Sequence, residues 1–147
     1  MQSLVDTYNQ HVSSGKIQRE EEQERLLKKL DALRVIVEQK QRRVLFSKPP
    51  LAPRGIYVWG GVGCGKSMIM DMFVDSLTVG VRRVHFHSFM QEVQSSLNQA
   101  RQSRVKDALS PVVKQISNAV KVLAFDELQI NDIADAMIVG RLFEALI

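Results

Sequence analysis

The stretch Gly60-Gly61-Val62-Gly63-Cys64-Gly65-Lys66-Ser67 decides the fold, because it matches the pattern G-x-x-x-x-G-K-[ST] in full. An apolar run, residues 56–59, precedes it, and a helix-like run, residues 68–77, follows it. Glycines permit backbone conformations closed to other residues, so successive N–H groups can point at an anion beside a helix N-terminus. This strand–loop–helix setting predicts a phosphate-binding loop.

The side chains of the loop predict which ligands it takes. Lys66 is expected to reach the β- and γ-phosphates of ATP, and the Ser67 hydroxyl to ligate Mg²⁺. The predicted nucleotide-binding residues are Gly60, Gly61, Val62, Gly63, Cys64, Gly65, Lys66 and Ser67. Cys64 stands at a variable position where only the backbone is required, with a redox-sensitive gate as the alternative interpretation.

Composition excludes several classes of protein. The 147 residues are 45% hydrophobic and 24% charged, which is typical of one globular domain rather than a disordered chain. No uncharged apolar run reaches the length of a membrane span, and residues 1–10 are too polar for a signal peptide. The single cysteine, Cys64, excludes an internal disulfide and suits a reducing compartment.

The basic residues raise the question of nucleic acid as a partner. The net charge is +4, and the excess lies at residues 40–43, at Arg82 and Arg83, and at Arg101 with Arg104. Such clusters can mark a nucleic-acid footprint. Clusters of this kind are more often solvated surface or charge at helix C-termini, and the imbalance is modest, so we expect no nucleic-acid partner.

The front of the chain reads as one long helix over residues 18–43. Leu26, Leu30, Leu33 and Val37 form an apolar stripe at helical spacing, too short for a coiled coil. Three prolines then mark residues 47–55 as a linker. The predicted organisation is a helical segment (1–46), this linker, and a partial ATPase core (56–147).

Strands and helices alternate through the core. The predicted strands are residues 56–59, 83–89 and 120–125, the last almost continuously apolar and therefore expected to be buried in a parallel sheet. Helices are predicted at residues 68–77 and 90–102. A third helix is predicted to follow the N-cap Ser110, with Pro111 at its first position, and a fourth to span residues 133–146 after a cap at Asn131 or Asp132. The fold class is α/β: a P-loop NTPase with a parallel sheet and flanking helices.

An acidic pair, Asp126 and Glu127, follows the third predicted strand. Ligands bind at the carboxyl ends of parallel strands, so Asp126 is expected to hold Mg²⁺ and Glu127 to orient or deprotonate a water. The alternative interpretation is that the acidic pair only caps the N-terminus of a helix. Because a carboxylate that activates water is a liability in a kinase, the pair favours an ATPase. The predicted catalytic residues are Glu127 and Lys66, and the predicted metal ligands are Ser67 and Asp126.

Two histidines, His85 and His87, are expected on one face of the second predicted strand. Their spacing can serve a metal, but a zinc site needs at least three protein ligands and none follows nearby. Packing or hydrogen bonding is the favoured interpretation.

Three blocks of sequence, residues 55–71, 83–90 and 125–137, together with the front segment, resemble the ZapE-type (AFG-one-like) ATPases of the AAA+ class. Leu128 is a departure, because an aromatic residue is commoner there. The resemblance implies an ATP hydrolase that uses ATP and Mg²⁺ to remodel protein partners in cell division or protein quality control. It also implies a homo-oligomer, in the bacterial cytoplasm or alternatively in mitochondria, and a place for Ile17 near the adenine.

The same family has a fourth, central strand, an arginine finger and a lid, which are not expected before Ile147. We therefore expect an N-terminal portion of such an ATPase, with weak activity by itself. A nucleic-acid-linked ATPase of the loader type and a non-catalytic nucleotide-binding fragment are the alternatives.

Overall fold

The computed structural model describes residues 2–39, 53–104 and 106–146, which divide between Val79 and Gly80 into two compact units. The first unit contains the helices α1 (Leu4–Ser13), α2 (Glu21–Glu38) and α3 (Lys66–Ser76). The second contains β1 (Val81–His85), α4 (Phe86–Gln102), α5 (Leu109–Ala119), β2 (Val122–Asp126) and α6 (Ile133–Leu146). None of the helices described is long and apolar enough to cross a membrane.

The first unit is a packed set of three helices. A capping box starts α1: the Asp6 N–H donates to Ser3 Oγ at 3.0 Å, and the Ser3 N–H to Asp6 Oδ2 at 3.3 Å. All three helices contribute to the core, whose buried apolar residues are Leu4, Tyr8, Leu27, Leu30, Ile69, Met72 and Phe73. The predicted helix after the loop is therefore confirmed, beginning at Lys66.

The predicted front helix forms, but its buried face is rotated from the predicted stripe. Helix α2 ends at Glu38, and residues 40–43 lie outside the described residues. Its buried residues are Gln23, Leu27, Leu30 and Arg34, whereas Leu26, Leu33 and Val37 are half-buried. Arg34 can be buried because Asp31 Oδ1 lies 2.6 Å from its Nη2, and its Nη1 donates to the Gln2 carbonyl at 3.1 Å.

The predicted strand at residues 56–59 is wrong for the described structure. Residues 53–61 form neither helix nor strand, and the sheet of the described residues has two strands, β1 and β2. Tyr57 and Trp59 are strongly exposed. The physical reason is that an extended segment becomes a strand only when a neighbour accepts and donates its backbone hydrogen bonds, and no described strand pairs with this one.

The second unit is built on two parallel strands. β1 pairs with β2 in the register Val81↔Val122 to His85↔Asp126, with α4 and α5 between the strands in sequence. The Phe125 ring of β2 packs against the rings of Phe86, Phe89 and Phe143 at centroid distances of 5.8, 4.8 and 5.8 Å. The parallel sheet with flanking helices confirms the α/β class.

The predicted second strand, residues 83–89, is wrong at its second half. β1 ends at His85, and α4 begins at Phe86. Helical spacing prevails because it buries the whole set of apolar residues on one face, namely Phe86, Phe89, Met90, Val93 and Leu97.

Smaller differences concern the ends of two elements in this unit. Helix α5 starts at Leu109 rather than after a Ser110 cap, and Asp107 Oδ1 accepts the Leu109 N–H at 3.1 Å. Pro111 is therefore the third residue of α5 and not its first. The third predicted strand forms as β2 at Val122–Asp126 rather than at residues 120–125, and it is less buried than predicted, because Ala124 is buried while its neighbours are half-buried. The final helix forms with the predicted bounds, and Asp132 Oδ1 accepts the Ala134 N–H at 2.9 Å.

Candidate functional site

The glycines of the phosphate loop adopt conformations that side chains disfavour. Gly60, Gly63 and Gly65 have φ values of 155°, 83° and 77°. Gly65 caps α3, so the loop turns directly into the N-terminus of that helix at Lys66. A Cβ atom built on Gly61 or Gly63 would meet no atom within 4 Å, so open space lies beside the loop. The loop therefore has the backbone shape and the room that a phosphate chain requires.

The ammonium group of Lys66 lies on the loop itself. Its Nζ donates to the carbonyls of Gly60 at 2.9 Å and Gly61 at 2.6 Å, and lies 3.4 Å from Cys64 Sγ. The Cys64 thiol in turn donates to the Gly61 carbonyl at 3.1 Å. A phosphate offers this ammonium a charged acceptor in place of neutral carbonyls, which gives a stronger hydrogen bond.

Ser67 is the second residue of α3 and is exposed. Its hydroxyl oxygen and the carboxylate of Asp126 are hard oxygen donors, which is the ligand type that Mg²⁺ prefers. The loop residues belong to the first unit, and Asp126 and Glu127 belong to the second. Because the loop and the acidic pair lie in different units, the proximity of Asp126 to the loop stays a prediction.

The carboxylate of Asp126 is held by an arginine. Arg83 Nε lies 2.7 Å from Asp126 Oδ2, and Arg83 Nη2 lies 3.2 Å from Oδ1, with the Asp126 side chain more deeply buried than that of Arg83. The two residues sit on the paired strands, Asp126 as the last residue of β2. A bidentate pair of this kind fixes the direction of the carboxylate at the strand end.

Glu127 has a left-handed backbone, with φ at 53°, and its side chain is exposed. A glutamate disfavours this conformation because its Cβ approaches the backbone too closely. Such outliers cluster at functional sites, where the surrounding structure imposes them. This backbone turn directs the chain away from β2 immediately after Asp126.

The two histidines do not share a strand face. His85 ends β1, while His87 is the second residue of α4 and pairs with Gln91 through the two Nε2 atoms at 3.2 Å. Within the described residues, no group of three or more His, Cys, Asp or Glu side chains could hold a metal ion. The hydrogen bond of His87 agrees with the favoured interpretation of the sequence.

Sequence reasoning missed Gln23, a buried glutamine of α2 whose Nε2 donates to the Cys64 carbonyl at 3.3 Å. The signal was available in the spacing of residues 23, 27, 30 and 34, which is helical and has polar residues at both ends. A polar residue on a buried stripe indicates a specific hydrogen-bonding role.

Comparison with known proteins places the chain in a family. The model of the AFG1-like ATPase family matches residues 2–147. An uncharacterized protein of Schizosaccharomyces pombe is 38% identical over 128 residues, covering 82% of this chain and 28% of that protein. Lactation elevated protein 1 homolog B of Danio rerio is 39% identical over 110 residues, covering 68% of this chain and 22% of that protein.

A bacterial relative is similar to a shorter part of the chain. Cell division protein ZapE of Escherichia coli K12 is 45% identical over 95 residues, covering 63% of this chain and 24% of that protein. No solved structure matches the chain. The chain spans about a quarter of the length of these curated relatives. The family match over nearly the whole sequence, together with the glycine-shaped loop and the parallel sheet, shows that the chain belongs to the AFG1-like ATPase family.

Proposed function

We propose that this chain carries the nucleotide-binding and hydrolytic residues of an ATPase that couples ATP hydrolysis to remodelling of protein partners. The observation that carries the proposal is the position of Lys66. Its ammonium lies on the carbonyls of a loop shaped by Gly60, Gly63 and Gly65, at the N-terminus of α3. A cation, an open glycine-rich loop and a helix N-terminus together form an anion site.

Each site residue has a distinct proposed task. The backbone N–H groups of residues 60–67 and the Lys66 ammonium bind and orient the phosphates. Ser67 and Asp126 hold Mg²⁺, which when bound supplies positive charge that neutralises the phosphate oxygens. Glu127 accepts a hydrogen bond from the attacking water and so orients it. In this scheme Arg83 keeps the Asp126 carboxylate aimed along the end of β2.

The partner class is proposed from the relatives. One relative is named a cell division protein. We extend this to a role in cell division with a protein partner in the cytoplasm, with mitochondria as the alternative location. Assembly as a homo-oligomer belongs to the same proposal. Nucleic acid is disfavoured because Arg82 and Arg83 are engaged within the second unit, with Glu92 at 2.6 Å and Asp126 at 2.7 Å.

The proposal is tested by separating binding from hydrolysis. In single-turnover assays with protein in excess over radiolabelled ATP, Glu127→Gln should bind ATP like the parent and hydrolyse it at least about tenfold more slowly. Lys66→Ala should weaken ATP binding by about 30-fold or more, because it removes a charged hydrogen-bond donor. The exposed Glu144→Gln and Lys28→Ala serve as controls and should match the parent.

Hydrolysis by Glu127→Gln at the parent rate would show that another group orients the water. Unchanged ATP affinity in Lys66→Ala would remove the phosphate-binding assignment. A pull-down with the ATP-loaded Glu127→Gln variant then identifies the protein partner, with Lys66→Ala as the nucleotide-free control.

A further inference from the structure

Gln23 joins the two N-terminal helices to the phosphate loop through both ends of its amide. Its Oε1 accepts a hydrogen bond from the Tyr8 hydroxyl of α1 at 3.0 Å. Its Nε2 donates to the backbone carbonyl of Cys64 at 3.3 Å and to Glu20 Oε2 at 3.0 Å. Gln23 is 8% exposed and Tyr8 is 0% exposed, so neither side chain exchanges these partners freely with water.

The orientation of this amide is determined by its neighbours. The Tyr8 hydroxyl accepts the Glu20 N–H at 2.9 Å and donates to Gln23 Oε1 at 3.0 Å, with the Gln18 carbonyl as a more distant acceptor at 3.4 Å. Both groups near Nε2, a carbonyl and a carboxylate, can only accept. The amide therefore has one favourable orientation, with its oxygen towards α1 and its nitrogen towards the loop.

The contact falls on the part of the loop that directs the phosphate-binding groups. Cys64 and Gly65 immediately precede Lys66 and the start of α3. Gln23 also packs against Gly65: a Cβ atom built there would lie 2.7 Å from Gln23 Nε2. Holding these two peptide units sets the direction of the helix N-terminus and of its N–H groups.

We propose that Gln23 is a positioning residue for phosphate binding, through which α1 and α2 hold the loop in its binding conformation. This inference rests on the proposed function. Preorganisation of a site raises its affinity, because the ordering of the loop does not have to occur on binding. Coupling is reciprocal, so a nucleotide that fixes the loop also stabilises the docking of α1 on α2.

The test is a double-mutant cycle read by ATP affinity. Gln23→Met keeps the length of the side chain but removes all three hydrogen bonds of the amide, and Tyr8→Phe keeps the buried ring but removes the hydroxyl. We expect each variant to raise the Kd for ATP about fivefold, which corresponds to about 1 kcal/mol. The double variant should also lose about fivefold rather than 25-fold, because both changes break the same chain of hydrogen bonds. The exposed Gln10→Met serves as the control and should bind like the parent. Fully multiplicative losses, or unchanged affinities, would overturn the inference.

A second measurement needs no nucleotide. The reaction of Cys64 with N-ethylmaleimide reports on the loop, and Gln23→Met should speed it by about threefold or more by releasing the Cys64 carbonyl. If the parent fails to bind ATP, the proposed function is refuted. If Gln23→Met still speeds the labelling of Cys64 in that case, the role of Gln23 in positioning the loop is supported independently of ATP. Unchanged labelling in a folded Gln23→Met overturns the positioning role itself.

Discussion

The guanidinium group of Arg83 holds the carboxylate of Asp126 by two hydrogen bonds, of 2.7 and 3.2 Å, across the paired strands β1 and β2. The Asp126 side chain is 18% exposed and that of Arg83 is 31% exposed, so solvent screens this pair only in part. Two parallel N–H···O bonds also fix the plane of the carboxylate. The residue proposed as a metal ligand is therefore held in position by the neighbouring strand.

Replacing Arg83 by methionine should destabilise the second unit by about 1 kcal/mol, because it leaves a half-buried carboxylate without the guanidinium group that donates two hydrogen bonds to it. Arg82→Met is the matched control on the same strand. Its partner Glu92 lies 2.6 Å away, but the two side chains are 38% and 54% exposed, so its loss should cost a few tenths of a kcal/mol at about the level of a surface pair. Urea unfolding measures the loss of unfolding free energy in each variant. Equal losses would mean that the Arg83–Asp126 pair contributes no more to stability than a surface pair.

Gly65 should tolerate alanine much less well than Gly61. At Gly65 the backbone has φ of 77°, and a new Cβ would lie 2.7 Å from Gln23 Nε2, whereas a Cβ at Gly61 meets nothing within 4 Å. Gly65→Ala should therefore lower the stability of the nucleotide-free protein by about 1–2 kcal/mol, and Gly61→Ala by less than about 0.5 kcal/mol. Thermal unfolding compares the two variants. Equal melting temperatures would contradict the described backbone of the loop.

Cys64 is the single cysteine of the chain, and its alkylation reports directly on nucleotide binding. Its Sγ lies 3.4 Å from Lys66 Nζ and donates to the Gly61 carbonyl, so it sits among the atoms that the phosphates approach. Mg-ATP should slow its reaction with N-ethylmaleimide at least about tenfold. Mass spectrometry of timed samples with and without Mg-ATP measures the rates. The Lys66→Ala variant is the control, and its rate should not respond to nucleotide. Equal rates in the parent would place the thiol away from the bound phosphates.

Sequence patterns predicted helices more reliably than strands in this chain. A helix satisfies its backbone hydrogen bonds internally, so a local signal, the cap at Asn131 or Asp132, was sufficient to predict α6 with its observed bounds. A strand requires a partner, and residues 56–59 have strand composition without one among the described residues. In residues 83–89 the alternation and the helical spacing overlap, and the buried face of α4 decides the boundary at Phe86.

The residues of the candidate site also differ in how far the sequence could predict them. The loop glycines and Lys66 follow from a motif whose spacing reflects backbone geometry, so their conformations could be predicted from residue types. The spacing of α2 could have placed Gln23 on the buried face, but the partners of Gln23 and Arg83 could not be predicted. Each depends on a contact between segments distant in sequence: Gln23 with Cys64, and Arg83 with Asp126. Propensity and periodicity describe single elements and say little about which polar side chains meet across them.

Glu127 and Arg104 provide a matched test of whether backbone strain serves the site. Both are non-glycine residues with φ of 53°, and both are exposed. Arg104 follows Ser103, the C-cap of α4, and its N–H donates to the Arg101 carbonyl at 3.1 Å, so a glycine there would suit an ordinary helix end. Relief of the left-handed conformation should make Arg104→Gly and Glu127→Gly each more stable by about 0.5–1 kcal/mol.

The two glycine variants should differ in activity. Glu127→Gly should lose hydrolysis in the single-turnover assay while keeping ATP affinity, because it removes the carboxylate that orients the water and leaves the loop untouched. Arg104→Gly should hydrolyse ATP like the parent. A rise in melting temperature for both variants, with loss of hydrolysis confined to Glu127→Gly, would mean that the protein sacrifices stability at residue 127 for function. If Glu127→Gly instead unfolds at a lower temperature than the parent, the Glu127 side chain stabilises the protein. In that case the left-handed backbone at residue 127 is not a loss of stability retained for activity.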